Sequence, residues 1–301
     1  MNTAFLSPIQ TQRIEAIALT VADIDRSINF YTKALGFEVI DDGSYTENSY
    51  GKIRVVTLKL CDEKIRFIQY FDKVGKPIPQ DSQSNDLWFQ HLAIVVSDMD
   101  EAYNYLKSFP FEAISTAPQT IPPENKEAAY IQAFKFRDPD GHPLELIWFP
   151  PDKGQQKWQQ KSDKLFLGID HTAIAVANTE QSLQFYCDFL GMKIDGGSFN
   201  SGETQAKMDG LPDAKVRITA LRPIQGGLGI ELLDYIKPEN DRPIPPDLKT
   251  YDIASSQIEL IIDEAQFRQN KIQLENFPFL HHKSYRIQDP TGHFLLLIPK
   301  A

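Results

Sequence analysis

Along this chain the spacing of hydrophobic positions switches between period two and helical period, and the switches recur in a fixed order. The stretch Gly168-Ile-Asp-His-Thr-Ala-Ile-Ala-Val176 alternates. It predicts a strand with Ile169, His171, Ala173 and Ala175 on one face and Thr172, Ile174 and Val176 on the other. Small side chains around one imidazole leave room for something to sit against it. The next segment, Asn178 to Gly191, carries apolar residues at helical spacing. It opens on an Asx residue suited to an N-cap and stops at a glycine suited to the position after the helix. The same strand and helix occur earlier as Arg13–Val21 and Asp23–Gly36, with Ala16 in the place of His171. After each helix three further segments read as strands, at 37–40, 54–60 and 64–70, then at 192–194, 215–222 and 228–235.

A second kind of repeat is interleaved with the first. Lys76-Pro-Ile-Pro-Gln-Asp81 corresponds to Arg242-Pro-Ile-Pro-Pro-Asp247, and each precedes a strand, opened by His91 or by Gln257. Helices are expected over 98–109 and 263–275. Strands then lead into Arg137-Asp-Pro-Asp-Gly-His142 and Gln288-Asp-Pro-Thr-Gly-His293, hairpin turns that each feed a final apolar strand. The expected fold is α+β, made of four βαβββ modules at 12–75, 84–150, 165–238 and 252–300. Two domains are expected, 1–150 and 165–301, joined by the polar, poorly patterned linker 151–164.

Composition narrows the partners. A chain of 301 residues with a formal charge of −10 does not suit a nucleic-acid backbone or an anionic membrane. No apolar run approaches the roughly 18 residues needed to span a bilayer, and the start lacks a signal-peptide core. Cys61 and Cys187, without CxxC spacing, read as reduced, buried thiols of a cytoplasmic protein.

The four modules, the Phe-Tyr…Leu-Gly helix and the Asp-Pro-x-Gly-His hairpin together resemble the vicinal oxygen chelate superfamily. That superfamily includes glyoxalase I, extradiol dioxygenases and the bleomycin-resistance binding proteins. The resemblance implies paired modules forming curved mixed sheets around a cavity, with metal ligands on the first and last strand of each module. Carried over position by position, it gives Ala16 and Arg66 in the first module, and His91 and Glu145 in the second. The third has His171 and Glu231, and the fourth Gln257 and Leu296. If modules pair within each half, His171, Glu231 and Gln257 form an open three-ligand site, and Arg66 can pair with Glu145 in place of a metal. If the middle modules face each other, His91, Glu145, His171 and Glu231 form a full set and the outer pair a blind cavity. The concentration of ligands in the middle modules favours the second arrangement; adjacent pairing is the more ordinary one.

The resemblance implies an enzyme of glyoxalase-like isomerase or lyase type, acting on a small molecule through two neighbouring oxygens on a divalent metal. Zn, Ni, Co, Mn and Fe(II) all suit imidazole and carboxylate donors. Glu145 or Glu231 would be the catalytic base, the other staying on the metal. Glu259, Tyr235 and Arg66 are candidates for the substrate pocket. An extradiol-type dioxygenase and a non-catalytic binding protein are the alternatives, and homodimerisation is left open. His142 and His293 read as exposed residues leaving turns, and only one of the adjacent His281 and His282 can face a cavity. Gly196–Gly202 reads as a loop or lid, without the spacing of a phosphate cradle.

Overall fold

A computed structural model describes residues 7–45, 51–239, 242–269, 275–276 and 283–300. The first module runs β1 (Thr11–Thr20), α1 (Ile24–Leu35), β2 (Glu38–Tyr45), β3 (Ile53–Leu60) and β4 (Glu63–Tyr70). The second has β5 (Gln90–Val96), α2 (Met99–Leu106), the short β6 (Glu112–Ala113) and β7 (Gln119–Thr120), β8 (Gln132–Arg137) and β9 (Pro143–Trp148). The third has β10 (Phe166–Ala175), α3 (Thr179–Leu183, continuing as a π-helix over Gln184–Phe189), β11 (Lys193–Ser201), α4 (Gly202–Asp209), β12 (Lys215–Arg222) and β13 (Gly229–Lys237). The fourth has β14 (Ser256–Asp263), α5 (Glu264–Gln269), β15 (Glu275–Asn276), β16 (Lys283–Gln288) and β17 (Phe294–Lys300).

The caps expected at Asp23 and Asn178 are in place, and Asp98 caps α2 in the same way. Each accepts a hydrogen bond from the backbone N–H three residues on, satisfying a donor that the first helical turn leaves without a partner. Gly36 ends α1 at φ 72°, a left-handed position that costs glycine little.

Two mixed sheets result, and each takes one module from each half of the chain. The inner sheet is β11-β12-β13-β10-β5-β9-β8-β6, from the second and third modules; the outer is β15-β16-β17-β14-β1-β4-β3-β2, from the first and fourth. The middle modules therefore face each other. One face of both sheets packs with the helices in a common core that includes Phe30, Tyr31, Leu92, Leu144, Tyr186, Ile230 and Leu295. Period-two alternation sends the intervening residues to the opposite, concave faces.

The turn histidines join the two sheets. His142 is 5% exposed; Nδ1 lies 3.0 Å from Asp138 Oδ2, and Nε2 lies 3.0 Å from the carbonyls of both Thr20 and Ile253. His293 Nε2 is 2.7 Å from the Ala175 carbonyl. These residues are not the exposed turn exits expected, because each turn folds back onto another module's strand end. Tyr31 and Tyr186 donate to Asp138 and Asp289 of the same two turns.

Other expectations need correction. The glycine-rich stretch after Met192 is strand β11 followed by α4, not a loop. Gly197 lies so close to β12 that a Cβ there would stand 2.4 Å from the Ile218 carbonyl oxygen. Cys61 is exposed and Cys187 partly so, and both are free. The helix expected at 263–275 is found as α5 over Glu264–Gln269, and residue 275 opens strand β15; 270–274, His281 and His282 lie outside the described residues. Among the described residues no helix is long and apolar enough to cross a membrane.

Candidate metal centre

Four neighbouring strands of the inner sheet carry the site. β10 pairs antiparallel with β5, Ala173 opposite His91 and His171 opposite Ala93. β9 runs parallel to β5 with Glu145 beside Ala93, and β13 runs parallel to β10 with Glu231 beside Ala173. Each ligand-type residue thus has an alanine as its lateral neighbour, and the four side chains converge over that small floor.

His91 Nε2 lies 3.4 Å from Glu145 Oε2, and His171 Nε2 lies 3.8 Å from the same oxygen and 3.3 Å from Glu231 Oε2. One donor atom from each of His91, Glu145 and His171 lies within 4.8 Å of the others, and all three residues are buried. The Glu231 side chain is the most exposed of the four, at 23%. His171 Nε2 is buried and has no hydrogen-bond partner, although two carboxylates flank it. Two imidazoles and a carboxylate, with a second carboxylate alongside and an unpartnered ring nitrogen between, form a group that could hold a divalent cation.

A β-bulge orients His171. The register of β10 shifts between Ile169 and His171, so Ile169 joins the core, while Asp170 and His171 both face the cavity. Strict alternation had placed Ile169 beside His171; the extra residue reverses it, as bulges do. Asp170 Oδ2 then reaches His171 Nδ1 at 3.0 Å, which fixes the tautomer and leaves Nε2 free for a cation. Asp170 itself accepts from Trp158 Nε1 at 2.7 Å, Gln155 Nε2 at 2.8 Å and Arg222 Nη2 at 2.9 Å. Trp158 belongs to a 3₁₀ turn, Gln156–Gln159, in the segment between the halves.

The electrostatics separate the two glutamates. Burial raises the Glu145 carboxyl, but His91, Lys135 and His171 outweigh it and hold the pKa at about 2. Burial raises Glu231 too; His171 offsets this only in part, and Glu145 adds to it, so Glu231 stays above the ordinary value. Burial lowers His91 to about 4 despite Glu145. Burial would also lower His171, but Glu231, Asp170 and Glu145 raise it overall. Asp170, although buried, is held well below the usual carboxylate range by His171, Arg222 and Trp158.

The group opens into a cavity of about 560 Å³. Lys135, opposite Glu145 in the β8–β9 register, lines it, with Nζ 2.6 Å from Asp209 Oδ1. Sequence reasoning missed Lys135, Asp170 and Arg222. A signal for Lys135 was present, a single lysine in the apolar strand Ala-Phe-Lys-Phe; Asp170 gave only its adjacency to His171.

Four sequence-derived candidates do not join this group. Gln257 and Glu259 on β14 and Arg66 on β4 belong to the outer sheet. There Arg66 Nη2 is 3.0 Å from Glu259 Oε2, not paired with Glu145. Gln257 lies opposite Ala18, and Glu259, expected in the substrate pocket, is fully buried on the outer sheet. Cross-half pairing separates all three from His171. Tyr235 is on the right strand, but it is buried in a small cluster with Phe89 and Leu211.

A sequence profile for the Glyoxalase/Bleomycin resistance protein/Dioxygenase superfamily matches residues 13–146 and 168–297. The chain belongs to this superfamily. Within it, the lactoylglutathione lyase of Schizosaccharomyces pombe is 24% identical over 205 residues, 64% of this chain and 63% of that protein. The chain therefore spans slightly under two thirds of that relative's length. A 2-epi-5-epi-valiolone epimerase from an Actinomyces species is 26% identical over 149 residues, 46% of this chain and 79% of the epimerase. The crystal structure of glyoxalase I from Zea mays aligns with a TM-score of 0.64 at 16% identity, covering 95% of this chain and 92% of that one. This last likeness is one of fold.

Proposed function

We propose that this superfamily member is a divalent-metal-dependent enzyme of lyase or isomerase type, acting on a small molecule that presents two neighbouring oxygens. His91, Glu145 and His171 would hold the metal, with Glu231 beside them. The observation that carries this reading is the buried, unpartnered His171 Nε2 between two carboxylates. A divalent ion bound there supplies a Lewis acid for a substrate oxygen.

The chain's own residues divide the remaining work. With pKa values near 2 and 4, Glu145 and His91 are deprotonated at neutral pH, the state a metal ligand requires. Glu231 lies outside the close three-residue group, is partly exposed to the cavity, and has a raised pKa. It is therefore the residue suited to take a proton from a substrate carbon and return it to the neighbouring position. The names of the lyase and epimerase relatives agree with this assignment. Donor chemistry admits Zn, Ni, Co, Mn or Fe(II).

A ring-cleaving dioxygenase is the second reading, because the three mutually close donors are two histidines and one carboxylate, a set used by iron(II) oxygenases. Oxygen uptake by the iron-loaded chain with a catechol would favour it.

Elemental analysis of the full chain tests the proposal. The expected result is one divalent ion per chain, lost in His171→Ala. Absence of metal under every loading condition would leave a binding protein. Metal retained by a His91→Ala, Glu145→Ala double variant would rule out this ligand set.

A further inference from the structure

We infer that the substrate of this cavity is an uncharged molecule, with adjacent oxygens at one end and an apolar body, and that anionic conjugates such as glutathione adducts are excluded. The inference rests on the metal site proposed above and concerns the charge of the remaining wall. Among the described residues, five carboxylates line the cavity, from Glu127, Glu145, Asp170, Asp195 and Glu231, against two cations, Lys135 and Arg222.

Neither cation is available to an incoming anion. The Lys135 side chain is 5% exposed and bonded to Asp209, which is itself buried and also bonded by Gln205. Arg222 is held by Asp170 and Asp195, each at 2.9 Å, and donates to the carbonyls of Asp170 and Gly227. A divalent ion would cancel Glu145 and Glu231, but Glu127 and the Asp170–Arg222–Asp195 cluster would keep the wall negative. A substrate carboxylate entering the cavity would meet like charge, screened in part by solvent around the exposed Glu127 and Asp195. The other walls, including Ile121, Ile131, Phe149 and Met208, favour hydrocarbon.

The test is calorimetric titration of the zinc-loaded full chain with benzohydroxamic acids, whose two adjacent oxygens chelate in a constant way. The para-methyl compound should bind roughly tenfold or more tightly than the para-carboxy compound, a gap set by like-charge repulsion. The gap should narrow at high salt and in a Glu127→Gln, Asp195→Asn double variant. Equal or tighter binding of the para-carboxy compound, or competition by S-hexylglutathione, would overturn the inference and leave the metal site standing. If neither hydroxamate binds, the chelate reading itself fails, and this inference with it.

Discussion

The inner and outer sheets use one register for two opposite solutions. In the inner sheet His171 lies opposite Ala93 and Ala173 opposite His91. In the outer sheet, Ala16 lies opposite Glu259 and Ala18 opposite Gln257. Glu231 lies beside Ala173, and Arg66 beside Ala18. The outer sheet therefore has a guanidinium where the inner has a carboxylate, and its own carboxylate, Glu259, above the alanine that replaces the histidine. One sheet gathers donors that could hold an external cation; the other carries a cation covalently. Both keep the bulge, at Ile14/Ala16 and Ile169/His171. With no histidine to orient, Glu15 pairs instead with Lys64 and Arg13.

Removing one partner of the outer pair should give the largest stability effect. Glu259→Leu leaves the largely buried Arg66 without its carboxylate and should cost up to about 3 kcal/mol, whereas adding Arg66→Met should recover most of it. Urea unfolding of both variants checks this, and neither should change metal content. If the single variant proves neutral, Arg66 is not held by Glu259 alone.

The joint between the sheets should respond to pH. Both ring nitrogens of His142 face acceptors, so the ring needs both protons. Burial lowers its pKa, but Asp138 outweighs this and raises the value from 6.5 to about 9. Its stabilisation is complete below about pH 6.5 and is lost as pH rises through about 9, a change of roughly 3 kcal/mol. Unfolding measured across this window should show the loss in the parent chain and not in His142→Gln.

A smaller effect separates the two bulges. Asp170→Asn should weaken metal binding by about 10–100-fold, as expected for the partner of a ligating imidazole. The change is read by zinc titration, and by altered Trp158 fluorescence. Glu15→Gln should leave metal affinity unchanged and cost under about 1 kcal/mol, its partners being partly exposed.

The helices, their caps and the four modules were legible because they rest on local spacing. The ligand-type residues were legible too, since a glutamate in an apolar Leu-Glu-Leu strand needs a partner. Which modules pair was legible only in part: the concentration of ligand-type residues in the middle modules favoured the pairing found, but β1 and β14 carry similar alternation to β10 and β5, and register across more than two hundred residues leaves no local signature. The assignments of Arg66, Glu259 and Gln257 depended on that pairing and moved with it. His142 and His293 were misread because nothing next to a turn glycine tells which distant carbonyl the ring will meet.

The strand order also dictates when each part of the molecule can be finished during synthesis. The inner sheet needs no residue beyond Lys237, the end of β13, so the strands that carry the candidate site can close before β14 to β17 have been made. The outer sheet cannot. Its first strand must wait for β14, and the sheet is complete only with β17, which ends at Lys300. Through that interval β1 presents an unpaired edge, the kind of surface on which growing chains pair wrongly. The ribosome thus delivers the half that holds the candidate site first, and the half that carries its own cation last.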